Sequence, residues 1–441
     1  MTAMPDVGRP ALPATARLVF GAEPLLGQRS GVGRYSWELL SGLAASTALA
    51  ELRLVANGRW VTMDEVAALS PTDGECQTAA PRTAPGSKAS SDPSRNGAGA
   101  MLATANPPVA ARLRRLLHRL PGYVALRQWT LGVAPGASAR ALRRYCARPP
   151  RGTLYHEPNY VLRPFRGPAI ATVHDLGWVH YPQYLAKPTL AIMERGMPDS
   201  LARAARLITV SQFVADELTE VFGIPPARIR VTPLGVAPVF QPRDQAGCAA
   251  VLARYGLTYR GFVLAVATLD PRKNLAGLVA AYRQLPVAQA RRHPVILAGG
   301  AGWADDALGA AAARLEADGR LRRLGYVPEA DLPALYAAAV LLALPSFYEG
   351  FGLPVLEAMA SGTPVLAAAR ASLPEVAGDA ALLVDPEDTD AIHQGLARLL
   401  GDEAERRILR DRGLARARHF TWARTVAATL AVYAEVLDAA A

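Results

Sequence analysis

The sequence predicts an α/β protein built as two Rossmann-like domains that face each other across a cleft. Three observations carry that expectation. At 441 residues the chain exceeds one ordinary core and suits two domains of about 200 residues each. Its second half alternates short apolar runs with Ala-rich amphipathic stretches, the mark of a parallel sheet covered on both faces. A proline-rich run, Gly-Val-Ala-Pro-Val-Phe-Gln-Pro-Arg-Asp ending at Asp244, separates it from a similar but less regular first half. The division expected is residues 1–240, residues 241–418, and a terminal segment 419–441 that forms a helix.

In the first half the expected strands are Arg17–Phe20, Leu52–Val55, Thr153–Tyr155, Ala169–Val173, Leu207–Val210 and Ile229–Val231. In the second they are Phe262–Ala267, Val295–Ala298, Leu321–Tyr326, Val340–Leu344, Pro364–Ala368 and Ala381–Val384, each a short buried run. Helices are expected between them over Leu275–Leu285, Ala304–Ala317, Glu329–Ala338, Pro354–Ser361 and Thr389–Leu400. Trp422, Val426, Leu430, Tyr433 and Leu437 make a helical stripe after Thr421, a suitable N-cap. Pro71 to Pro108 carries too little apolar surface to offset ordering entropy and is expected as a mobile loop.

Sites in such folds lie at the carboxyl ends of strands. After the run Val340–Leu344 the chain breaks at Gly350 and Gly352, then restarts at Pro354 with a helical pattern. Glu349 in the loop and Glu357 in the first helical turn flank that break. Glycines let backbone N–H groups approach closely, Pro354 fits the first helical position, and the helix dipole favours phosphate. Either carboxylate can accept hydrogen bonds from hydroxyls, Glu349 from a sugar and Glu357 from a ribose.

Arg272 and Lys273 follow the strand Phe262–Ala267 and precede a helix. Adjacent cations there suit a diphosphate whose bond is breaking, because fixed charge stabilises the phosphate oxygen most as its charge develops. Gly31 and Gly33, in Ser-Gly-Val-Gly-Arg-Tyr, open a helix after the first strand. A dinucleotide fingerprint would want glycine at Ser36 and an acid where Asn57 and Gly58 stand, so nicotinamide binding is disfavoured. His174-Asp175 ends a strand at the cleft edge, where the ring can meet a sugar hydroxyl. His156-Glu157 ends the preceding strand and is a secondary candidate for the acceptor side. Ser211 is read first as a helix cap, and so is Asp388 in Asp388-Thr-Asp390; no metal site is expected.

A net charge of +10 points to anionic partners, and arginine supplies nearly all of it, the only lysines being Lys88, Lys187 and Lys273. No apolar run approaches the roughly 18 residues that span a bilayer. Cys76, Cys146 and Cys248 are widely spaced, which suits a reducing cytoplasm. Arg112, Arg114, Arg115, His118 and Arg119 interleave with leucines, as in a helix lying on an anionic membrane or one packed with snorkelling arginines. Aromatic–basic interleaving of an RNA platform is missing, so nucleic acid is not expected.

Glu349-x7-Glu357, with Ser372-Leu-Pro-Glu-Val and Leu382-Leu-Val-Asp-Pro386, resembles the retaining nucleotide-sugar glycosyltransferases of the GT-B fold, glycosyltransferase family 4. The likeness covers most of Gly261 to Pro386 and returns around Gly31, His174 and Ser211. It implies a metal-independent transfer of a hexose to a hydroxyl acceptor, with no cofactor. Arg272 and Lys273 would take the diphosphate, Glu357 the ribose, and Glu349 the sugar hydroxyls with the N–H groups of Gly350, Phe351, Gly352 and Leu353. His174 would sit beside the donor sugar, Gly31 and Gly33 beside the phosphates, and the terminal helix would return to the N-terminal domain. Within the family the motifs look most like bacterial mannosyltransferases of surface-polysaccharide assembly, so GDP-mannose is the first donor and a saccharide or lipid-linked saccharide the acceptor. Two rivals stay open: a nucleotide-sugar epimerase of the same fold, and a non-catalytic basic protein binding nucleic acid or lipid.

Overall fold

The computed structural model describes residues 12–26, 31–69, 137–300 and 305–440. Both Pro71–Pro108 and the basic stretch from Arg112 to Leu120 lie outside the described residues. The first sheet contains β1 (Arg17–Gly21), β2 (Glu51–Ala56), β3 (Arg59–Val61), β4 (Thr153–Glu157), β5 (Ala169–Val173), β6 (Arg206–Thr209) and β7 (Ile229–Val231). Their order is β3-β2-β1-β4-β5-β6-β7, with every neighbour parallel except the β2–β3 pair. The second contains β8 (Val263–Val266), β9 (Val295–Ala298), β10 (Leu321–Gly325), β11 (Leu341–Leu344), β12 (Val365–Ala368) and β13 (Leu382–Val384). It is fully parallel, in the order β10-β9-β8-β11-β12-β13.

Every residue of β4, β5, β9, β11 and β12 is buried, as strands covered on both faces must be. Strand β3 has no counterpart in the sequence expectation. Its signal is Asn57-Gly58, whose positive φ angles of 52° and 69° form the hairpin turn this pair favours. The helix Glu403–Ala417 was equally unexpected. It buries Leu409, Gly413 and Ala417, one turn apart, and packs on the helix Leu353–Ala360.

Strand order reverses once in each sheet, between β1 and β4 and between β8 and β11. A doubly wound sheet binds ligands outside the carboxyl ends at such a point. The loops after β8 and β11 carry Arg272–Lys273 and Glu349–Gly352, so the switch point of the second sheet brings the two strongest motifs together.

The chain passes from the first sheet to the second through Thr232–Asp244 and returns at Phe420–Trp422. These crossings touch: the Val236 amide donates to the Phe420 carbonyl at 3.1 Å. A Cβ on Gly235 would lie 2.1 Å from the Trp422 nitrogen, so only glycine fits. Thr421 then caps the helix Trp422–Asp438 by accepting from the Arg424 amide at 3.3 Å. That helix lies on the helix Gly31–Ala44 and on β4 and β6, and Glu435 pairs with Arg206 and Arg230. No helix among the described residues is long and apolar enough to cross a membrane.

Candidate active site

The loop after β8 is built by short-range capping. Asp270 accepts from the Arg272 amide at 2.9 Å and closes the turn Pro271–Lys273. Asn274 takes the left-handed conformation that asparagine tolerates, with φ 52°, and caps the helix Leu275–Arg283. Its amide donates to the Pro386 carbonyl at 2.7 Å. The turn so fixed aims Lys273 at the loop after β11, where Nζ donates to Glu349 Oε2 at 2.7 Å. Ser346 donates to the other oxygen of Glu349 at 2.8 Å, and the Phe347 amide donates to the Arg272 carbonyl at 2.8 Å. The two loops are therefore one unit. Asp270 also holds the Arg272 guanidinium, 2.7 Å from Nη2 to Oδ2. Burial opposes the charge on Arg272, yet Asp270, Asp175 and Glu349 together keep its pKa above the usual arginine value.

Gly352, at φ 99°, turns the chain into the helix Leu353–Ala360. Glu357 is the fifth residue of that helix, in its second turn rather than its first, and it is buried. Its Oε1 accepts from Arg34 Nη1, and Arg34 Nη2 reaches Glu329 Oε1 at 3.0 Å. Burial pushes the Glu357 carboxyl above its ordinary value while the Arg34 charge holds it down. Arg34 belongs to the helix Gly31–Ala44, under the first sheet, so this contact crosses the crevice. Gly31 and Gly33 form the start of the same helix, and a Cβ on Gly31 would meet nothing within 4 Å.

His174 follows β5 from the opposing side. Its Nε2 donates to the Pro158 carbonyl at 2.7 Å, which leaves Nδ1 as the acceptor of the ring. Tyr35 and Tyr160 stand edge-on to it, at 4.9 Å and 5.6 Å between centroids. Burial lowers the His174 pKa, so the ring is neutral near pH 7. A Cβ on Gly350 would lie 2.0 Å from the His174 carbonyl oxygen, so the glycine permits direct contact between the two domains. Ser211 caps the helix Gln212–Phe222 and also donates to the Gly350 carbonyl at 2.7 Å. Arg272 reaches the opposing side too: a Cβ on Gly177 would sit 2.2 Å from its Nη1.

The fold thus brings Lys273 and Glu349 together, with Arg272 on the same turn and Gly350 against the His174 carbonyl. Arg34 and Glu357 form a separate contact between the helices Gly31–Ala44 and Leu353–Ala360. Phe351 is buried edge-on to Phe420 at 6.0 Å, so any role of that residue toward a ligand falls to its backbone. His156-Glu157 does not face the acceptor side as expected. Both nitrogens of His156 are bonded in the interior, Nδ1 with the Tyr433 hydroxyl at 2.6 Å and Nε2 with Thr172 Oγ1 at 2.8 Å. Burial and the neighbouring His174 push its pKa down to about 3. Glu157 accepts from the Tyr155 hydroxyl at 2.5 Å, and burial with the nearby Glu23 pushes it up to about 8. Asp388 accepts from the amides of Asp390 and Ala391 at 2.9 Å and caps a helix. Asp270, Ser346 and Arg34 were not assigned from sequence. The first had a signal, an Asp-Pro that starts a turn.

Residues 258–416 match the family described as Glycosyl transferases group 1, and residues 29–239 match Glycosyltransferase Family 4. The chain is 37% identical over 418 residues to O-antigen chain mannosyltransferase B of Escherichia coli, across 95% of this chain and 99% of the relative. The chain belongs to glycosyltransferase family 4. Among solved structures, sucrose-phosphate synthase from Thermosynechococcus elongatus superposes on the glycosyltransferase with a TM-score of 0.63 at 22% identity, over 96% of this chain and 100% of that one. WaaG, a glycosyltransferase involved in lipopolysaccharide biosynthesis, gives 0.58 at 14% identity, over 93% and 98%. The shared architecture is GT-B, two Rossmann-like domains across a crevice.

Proposed function

We propose that this glycosyltransferase moves a hexose from a nucleotide diphosphate sugar, GDP-mannose first, to a hydroxyl of a saccharide or lipid-linked saccharide, with retention of anomeric configuration. The Lys273–Glu349 contact of 2.7 Å carries the reading. It joins a phosphate-suited cation to a sugar-suited carboxylate at the switch point of the second sheet, next to Gly350, which abuts the His174 carbonyl.

In this scheme the glycosidic bond to the diphosphate breaks and negative charge gathers on the leaving phosphate oxygen. Arg272 and Lys273 stabilise that charge, aided by the N–H groups from Gly350 to Leu353 at a helix start. Side-chain cations rather than a metal ion do this work. Glu349 accepts from sugar hydroxyls, His174 offers Nδ1 to another, Glu357 takes the ribose, and Gly31 and Gly33 bring the opposing helix near the phosphates. The acceptor enters on the face the phosphate leaves. A phosphate oxygen takes its proton as the new bond to the anomeric carbon forms, so no carboxylate becomes a covalent nucleophile. An O-antigen mannosyltransferase aligned over nearly the whole chain supports mannose and polysaccharide assembly.

The test is calorimetric titration with GDP-, UDP- and dTDP-sugars, followed by slow hydrolysis of the best binder and proton NMR of any glycosidic product. GDP-mannose should bind tightest and give an α-linkage. Tighter binding of a UDP-sugar would replace the donor, and a β-linkage would overturn retention. A new sugar nucleotide formed without acceptor would favour the epimerase.

A further inference from the structure

A buried carboxylate is a poor acceptor unless something keeps it ionised, because desolvation favours the neutral acid. Glu357 is 3% exposed and sits near a second acid, Glu329, and the buried phenol of Tyr336. The cation that faces it comes from the other domain. Arg34 contacts Glu357 with one nitrogen and Glu329 with another, and its guanidinium lies 5.7 Å from the ring of Phe240 in the crossing segment. Arg34 is itself largely buried, with 17% of its side chain exposed. A carboxylate offers about four lone-pair sites, so one guanidinium N–H does not exhaust it.

We propose that Arg34 is a positioning residue for the donor's ribose: from across the crevice it keeps Glu357 ionised and turned to accept ribose hydroxyls. The ribose site is then complete only while the two domains are together, and donor affinity reports their closure. This rests on the reading of Glu357 as the ribose ligand.

The experiment is a double-variant cycle read by titration with GDP-mannose and UDP-glucose, which share a ribose diphosphate. Arg34→Gln should weaken binding about tenfold or more, the size of one charge-assisted hydrogen bond. It should raise the donor KM with little change in kcat or acceptor KM. The loss should deepen on acidification, because Glu357 without its cation protonates at a higher pH and stops accepting. Arg34→Lys should recover part of the affinity. In a Glu357→Gln background, where no charge needs a partner, Arg34→Gln should cost less than about twofold more. An equal loss in both backgrounds would mean that Arg34 acts on the donor directly or on the fold, and would overturn the proposal. So would an Arg34→Gln enzyme with wild-type affinity at every pH while Glu357→Gln is weak. If Glu357→Gln itself binds normally, the ribose reading fails instead. If neither sugar nucleotide binds the wild-type enzyme, both readings fall.

Discussion

Two polar clusters occupy the crevice side of this enzyme, and they differ in charge. In the first, Tyr433, His156, Thr172 and Tyr35 form a neutral chain with links of 2.6, 2.8 and 2.9 Å. All four are buried, and together they tie the terminal helix to β4, β5 and the helix Gly31–Ala44. The second is built from acid–base pairs: Lys273 with Glu349, Arg272 with Asp270, and Arg34 with Glu357. Taking an ion out of water costs several kcal/mol unless it is paired, whereas a satisfied hydroxyl network costs far less. A joint between domains needs only the first arrangement. The second makes sense where hydroxyls and phosphates exchange with the side chains now in contact. Polar crowding at strand ends therefore does not mark a site by itself, and the charged cluster is the one the proposed function uses.

The largest expected effect breaks the charged cluster. Lys273→Ala should lower kcat by about 10²–10³-fold, as loss of a fixed donor to a developing oxyanion does. Glu349→Ala, which removes the acceptor for the sugar hydroxyls and leaves Lys273 without its partner, should lower it as well. The melting temperature should move by only a few degrees for Lys273→Ala, whose side chain is 20% exposed, and by more for Glu349→Ala, whose carboxylate is buried. Near-normal turnover in both variants would remove the site from this place. The opposite signature is expected of the neutral cluster. Tyr433→Phe leaves a His156 nitrogen buried without its partner and should cost about 1–3 kcal/mol in urea unfolding. Its donor and acceptor constants should stay as in the wild type. A fall in kcat at unchanged stability would make the neutral chain part of the reaction.

The same contrast explains what was legible in the sequence. Arg272 and Lys273 are set by one turn, and Glu349 and Glu357 by one loop and helix, so spacing alone displays them. The neutral chain joins residues 137 and 277 positions apart, and Arg34 meets partners 323 and 295 positions away. No local pattern encodes those pairs. His156 misled for a related reason: its strand end does face the crevice, but the terminal helix arrives to cover it. The fold class was readable because parallel strands buried on both faces are continuous apolar runs. The helix Glu403–Ala417 was not, because its buried stripe has one large apolar residue, Leu409, and two small ones.

The smallest effect concerns Glu157, the neighbour of His156 on β4. This carboxyl lies under the end of β1, where a Cβ on Gly21 would come within 2.7 Å of it, and it titrates at about 8 in place of 4.5. The folded chain therefore holds a proton that the unfolded chain releases, and stability falls as pH rises from 4.5 to 8. His156 has the opposite sign: its stabilisation is present above 6.5 and lost as pH falls toward 3. Glu157→Gln removes only the first slope. The variant should match the wild type at pH 4.5 and exceed it above pH 8. A new amide must still find partners near Tyr155 and Glu23, so the net gain should be about 1 kcal/mol. Urea unfolding at both pH values measures it. A variant less stable than the wild type above pH 8 would mean that Glu157 is held ionised beside Arg163 and would overturn the raised pKa.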